Sequence, residues 1–197
     1  GDWQDFNTGL HFAKQMQRLG EQGVKVAVVR GNHDAANKMT RTLIMPENVK
    51  IFRDRKPETW ILEDQGIAIH GQSYPAQEVT ENLAEAYPDP VEGLFNVGVL
   101  HCLISGAKGH MPYAPCSLDQ LAAKGYDYWA LGHVHEYNVL REQPHIVYPG
   151  CIQGRHIRET GEKGCVLVGN DQGVLKPQFV SLDVLRWLKI SVDIKGA

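Results

Sequence analysis

Apolar positions along the chain fall into two periods. Leu10, Ala13, Met16 and Leu19 recur at helical spacing, with Phe12 beside Met16. They predict an amphipathic helix, capped by Asn7 or Thr8 and closed by Gly20 and Gly23. Residues 24–29 follow, apolar at nearly every position, which is the pattern of a strand buried on both faces. Helix then buried strand is the signature of an α/β protein. The buried-strand pattern returns at 95–100 and 126–131, and shorter strands are expected at 49–52, 59–62 and 67–70. Residues 77–86 read as a helix ended by Pro88 and Pro90. A glycine- and proline-rich loop spans 105–115, and Ser117 caps a short helix at 118–123. Beyond it the strands expected at 146–148, 164–168, 174–180 and 185–192 have no helices between them, which predicts a second, partly antiparallel sheet.

A chain of 197 residues is long enough for a sizeable core. No apolar run approaches the roughly 20 residues that span a bilayer, and the polar, acidic start is unlike a signal peptide. The net charge of −3 argues against coating nucleic acid by charge alone. Cys102, Cys116, Cys151 and Cys165 form no C-x-x-C pair. Reduced, buried cysteines in a cytoplasmic protein are expected. The chain opens on Gly1-Asp2-Trp3 without methionine and ends in a strand-like pattern, so a segment of a longer protein is expected.

The buried strands deliver chemistry at their ends. Gly31-Asn32-His33-Asp34 follows the first, His101 the next, and Gly132-His133-Val134-His135 the last. Parallel strands end on one edge of a sheet, so these sites can converge. Amide oxygen and imidazole nitrogen suit Mn²⁺, Fe²⁺ or Zn²⁺. Side chains two apart share a face of an extended chain, so His133 and His135 can look into one pocket and serve different ions of a pair about 3.5–4 Å apart. Such a pair lowers the pKa of bound water and clamps phosphate oxygens during an in-line displacement. His33 is placed to assist the leaving oxygen, and Asp34 to fix the His33 tautomer. Each has a plainer reading: turn histidines at 133 and 135, a core histidine at 101, a tight turn at 31–32. Their ordered combination favours the metal reading. His70 ends a strand but belongs to no such set, so a core or edge role is expected.

In these residues the chain resembles the calcineurin-like metallophosphoesterases, whose ordered signature is GNHD, a lone histidine after a strand, and GHxH. It looks closest to the SbcD-type DNA-repair exonucleases and, within them, to the YhaO-like branch. Further matches are residues 5–10, Tyr126-Asp127-Tyr128-Trp129-Ala130-Leu131-Gly132, Tyr148-Pro149-Gly150 and residues 155–161. The resemblance implies two facing mixed β-sheets flanked by helices, in a metallophosphoesterase domain over 1–184. Residues 185–197 would be a final strand or the start of an accessory region. It implies a DNA exonuclease with two Mn²⁺ ions, Asn32, His101 and His133 at one and His135 at the other, with His33 assisting the transition state. Partners implied are DNA ends and an SbcC-like coiled-coil ATPase; a homodimer is a further expectation, apart from the resemblance. The family also uses an Asp-x-His and a bridging Gly-Asp ahead of Asn32. No Asp-x-His precedes Asn32 here, and Gly1-Asp2 reads as a loop, so residues 1–197 alone are expected to bind metal weakly and turn over little.

Two other readings stay open: a metallophosphoesterase for a non-DNA phosphoester, and a scaffold that has lost catalysis. Lys38 and Arg41, just after the GNHD turn, are the favoured substrate contacts. Arg53, Arg55 and Lys56 read as a solvated face, and Trp3, Trp60, Trp129 and Trp187 as core.

Overall fold

The computed structural model describes residues 5–37, 42–105, 113–171 and 174–193. It divides into two compact units, one of Gly1–His133 with Val139–Val147, the other of Val134–Asn138 with Tyr148–Ala197.

The first unit opens with helix α1 (Phe6–Glu21). Its cap is Asp5, whose carboxylate takes the N–H and hydroxyl of Thr8 at 3.1 and 3.0 Å. That moves the start ahead of Asn7 and Thr8, because an anionic acceptor holds the free N–H groups better than a neutral one. Leu10, Phe12 and Leu19 remain exposed. Strand β1 (Val26–Val28) pairs in parallel with β2 (Val49–Ile51). Both are half-buried, not buried on both faces as the apolar run suggested. Between them the short helix α2 (Asn32–Ala36) begins directly after Gly31.

The six-stranded sheet has the order β3-β4-β5-β6-β8-β7. Its strands are β3 (Glu58–Leu62), β4 (Ile67–Gly71), β5 (Phe95–His101), β6 (Tyr128–Gly132), β7 (Tyr137–Glu142) and β8 (His145–Pro149). β3 runs antiparallel to β4, whereas β4, β5, β6 and β8 are parallel neighbours. Helix α3 (Leu118–Ala123) is capped by Ser117, as expected. The sheet is therefore mixed, and the α/β class inferred from the pattern holds. Its core is Trp129, Leu100, Leu131, Ile146 and Val147, all nearly inaccessible. Gly98 lies under the Trp129 indole, where a Cβ would collide with the ring.

His70 sits inside this sheet as a core histidine. Its Nδ1 meets the Thr59 hydroxyl at 2.9 Å and its Nε2 meets Asn96 Oδ1 at 3.0 Å. Burial pushes its pKa down, against a smaller opposing effect of the Asn96 bond.

Two expected elements are absent. Residues 77–86 form only a 3-10 turn at Leu83–Ala86. Val79 instead spends its carbonyl on the Ala114 N–H at 2.7 Å, and the Asn82 side chain takes the Ala84 N–H. Residues 185–192 make one bridge, Thr160 with Trp187, and no strand.

The second unit carries the expected antiparallel sheet, β9 (Gly164–Asp171) paired with β10 (Val174–Ser181). Tyr137 stacks on Phe179, with ring centroids 4.7 Å apart. None of the four cysteines forms a disulfide: Cys102 and Cys116 are buried, with Cys116 Sγ 3.7 Å from Cys102 Sγ, while Cys151 and Cys165 are half-buried. Trp129 is core, whereas Trp60 and Trp187 are half-buried and Trp3 lies outside the described residues. No helix among the described residues is long and apolar enough to cross a membrane.

Candidate metal centre

In the first unit three strand ends meet. The register of β5 on β6 sets His101 opposite Gly132, and His133 follows at once. Asn32, the first residue of α2, is buried and places its Oδ1 2.9 Å from His101 Nε2. The His101 and His133 rings meet edge to face with centroids 5.2 Å apart. Tyr74 meets the His101 ring edge to face at 5.1 Å, and Tyr113 meets His133 in the same way at 5.6 Å.

The glycines of the two motifs make room for this. A Cβ on Gly31 would stand 2.5 Å from the His101 ring, and one on Gly132 would stand 2.9 Å from His101 Nδ1. Gly31 itself has φ −86, a conformation open to any residue. Its requirement is space for the imidazole, not backbone freedom. His133 shows the converse, with φ at 104, where a β-carbon is strained. Strain of this kind persists only where the surroundings enforce it, and it gathers at functional sites.

The donor set fits a divalent cation. Two ligands at about 2.0–2.1 Å from one ion and near a right angle stand about 3 Å apart. Asn32 Oδ1 and His101 Nε2 have that separation. One hard carboxamide oxygen and two borderline imidazoles together suit first-row divalent metals.

His33 follows Asn32 on α2 and is exposed. Asp34 is half-buried, and its carboxylate accepts the Gly31 N–H at 3.4 Å. That bond closes the turn presenting Asn32. Lys38 and Arg41 lie outside the described residues, as does Asp2.

His135 belongs to the second unit and is held there by different means. Its Nδ1 is 2.6 Å from Glu159 Oε1. Burial pushes the Glu159 carboxyl up, but the Arg155 N–H, His135 and His156 more than offset this and leave it below the ordinary carboxylate range. Glu159 is therefore an acceptor only, and His135 Nδ1 must be the donor. In the neutral ring the lone pair then sits on Nε2, the tautomer a metal would need there. The His135 carbonyl accepts from Cys151 Sγ at 3.6 Å and from the buried Lys163 Nζ at 3.3 Å. Gly150, at φ 77, closes against the same carbonyl. The sequence matches Tyr148-Pro149-Gly150 and 155–161 thus share a physical task, fixing His135. His135, Cys151 and Glu159 also form a group able to hold a cation, with donor atoms within 4.8 Å of one another. Glu159 and Cys151 were not among the sequence candidates. The signal was a lone acid inside 155–161, which periodicity could not single out.

The family model for calcineurin-like phosphoesterases matches residues 1–137. Among curated proteins, the chain is 42% identical over 192 residues to a protein of Bacillus subtilis (strain 168) described as "Uncharacterized metallophosphoesterase YhaO", covering 95% of this chain and 47% of that protein. It is 26% identical over 199 residues to a "DNA double-strand break repair protein Mre11" of Sulfurisphaera tokodaii, covering 91% of this chain and 49% of that one. The chain therefore spans about half the length of these relatives. With the family model covering more than half of its length and a relative 42% identical over 95% of it, this chain belongs to the calcineurin-like phosphoesterases.

Proposed function

We propose that the protein is a metal-dependent phosphodiesterase and that its substrate is DNA, degraded from an end as in double-strand-break repair. The observation that carries the chemistry is the 2.9 Å approach of Asn32 Oδ1 to His101 Nε2, with His133 packed against the same imidazole. The DNA substrate is supported more distantly, by likeness to a relative named for DNA double-strand break repair.

In this reading Asn32, His101 and His133 hold one Mn²⁺, and His135 serves the second. Bound there, the ions supply a nucleophilic oxygen near neutral pH and neutralise phosphate charge. The chain's own residues do the rest. His33, exposed beside Asn32, gives a proton or hydrogen bond to the departing oxygen. Asp34 holds the Asn32 turn closed, and Glu159 orients the His135 ring by accepting its Nδ1–H. Lys38 and Arg41 contact the substrate. The resemblance also points to a coiled-coil ATPase subunit as partner, and the reading includes a second copy of the chain and a cytoplasmic setting.

The test compares Mn²⁺-dependent hydrolysis of linear duplex DNA, covalently closed DNA and a small chromogenic phosphodiester by the protein at its natural length. Loss of linear DNA, abolished by Asn32→Ala, is expected. Cleavage of the small ester alone would move the reading to a non-DNA phosphoester, and no cleavage of any of the three to a scaffold.

A further inference from the structure

The first unit contains a cleft of about 670 Å³ lined by Arg30, Arg53, Arg55 and Lys56, with Asp54 the one carboxylate among the lining residues. Four cations against one anion make a polyanion site in charge. Arg55 and Lys56 are exposed and take part in no ion pair among the described residues. Arg53 shares Glu58 with Lys50 at the cleft's edge, both at 3.4 Å.

The basic loop is built rigidly. Three successive carbonyls are pinned: Phe52 by the Ser73 hydroxyl at 2.6 Å, Arg53 by the Ser73 N–H at 2.9 Å, and Asp54 by the Gln72 amide at 3.1 Å. Arg30 is tied into the same framework, its N–H to Ser73 Oγ at 3.0 Å and its carbonyl to the Tyr74 N–H at 2.8 Å. These ties fix the backbone immediately ahead of Arg55 and Lys56, and a backbone held beforehand lowers the entropy lost on binding.

The cleft also adjoins the candidate centre. Arg30 is two residues before Asn32, and Tyr74, which lines the cleft, packs its ring on His101. Phe52 and Tyr74, its aromatic residues, are 1% and 2% exposed. They offer no face on which a base could stack, so contact must run through backbone phosphates.

We propose that this cleft is a phosphate-backbone site for a nucleic acid strand, in which Arg55 and Lys56 grip phosphates flanking the one presented to Asn32, His101 and His133. The site is sequence-independent, and its role beside that centre rests on the hydrolase reading above. Binding itself does not.

The experiment measures affinity for a labelled mixed-sequence 20-mer, single-stranded and duplex, in EDTA across a salt series. Arg55→Gln/Lys56→Gln is compared with Lys14→Gln/Lys25→Gln, which removes the same charge from exposed positions outside the cleft. Folding is checked by circular dichroism. The cleft variant is expected to bind about tenfold or more weakly near 0.1 M salt, with the log–log salt slope reduced by about 1.5–2, and the control to match the parent. The single-stranded and duplex arms identify which form the cleft accepts. An unchanged slope, an equal loss in the control, or no binding by the parent at low salt overturns the proposal. Weakened binding together with no Mn²⁺-dependent hydrolysis leaves the cleft standing and removes the hydrolase reading. Hydrolysis with an unchanged slope does the reverse.

Discussion

His133 and His135 are two residues apart, yet the molecule holds them by different physics. His133 is fixed by crowding: a strained backbone, the His101 ring on one side and Tyr113 on another. His135 is fixed by polar bonds, to Glu159 through its ring and to Cys151 and Lys163 through its carbonyl. Packing is sensitive to a change of volume, and a hydrogen-bonded network to the loss of a donor or acceptor. The two histidines should therefore fail under different substitutions.

The largest effect is expected on the crowded side. Gly31→Ala adds one carbon 2.5 Å from the His101 ring at a φ alanine accepts, so the imidazole must move. Hydrolysis should fall about 100-fold or more, the scale of a 1 Å misplacement, with melting temperature little changed. Near-parental activity would show that the His101 position does not matter. On the bonded side, Glu159→Ala should cost about 10–100-fold in metal affinity or activity, the range for losing a ligand's hydrogen-bonding partner. Glu159→Gln should recover part of it, because its amide oxygen still accepts. Equal losses in both variants would assign Glu159 to charge and not to orientation.

Next is an effect in the core of the first unit. Gly98→Ala drives a methyl into the Trp129 indole and should destabilise by about 1–3 kcal/mol, read from denaturant unfolding. The smallest effect is in pH. His70 has a lowered folded pKa, so its contribution is present above the unfolded histidine value near 6.5 and is lost as pH falls through the folded value. Arg186, helped by Ser181, holds Asp183 of the second unit well below the carboxylate range. Its contribution is present above about 3.9, the unfolded value, and is lost only below that as pH approaches the depressed one. Amide-exchange protection factors, which are corrected for the intrinsic exchange rate at each pH, should accordingly fall between pH 6.5 and 4 in β4 and β5 while those of β9 and β10 hold. Simultaneous loosening of both would erase the distinction.

The sequence was most readable where burial is deep. β5, β6 and α3 were placed within two residues because apolar runs and a serine cap leave few alternatives. β7 was missed: it lies at the sheet's edge with five of six residues exposed, so Tyr137-Asn138-Val139-Leu140-Arg141-Glu142 carries no buried face to read. Residues 185–192 misled in the other direction. Leu188, Ile190 and Val192 look like strand positions but are 70–80% exposed. The motifs located Asn32, His101 and His133 because glycine, amide and imidazole at strand ends have few other uses. Glu159 escaped because one carboxylate among charged neighbours gains its meaning from the atom it touches.

The His101 ring fills the space a side chain would need at both Gly31 and Gly132. Two turns about a hundred residues apart in the chain are therefore bound into one mutational unit. Either glycine can be exchanged only if the side chain at position 101 moves or shrinks with it, which displaces or forfeits the imidazole. Drift at any one of the three positions is closed off by the other two, so these loops must evolve together or not at all.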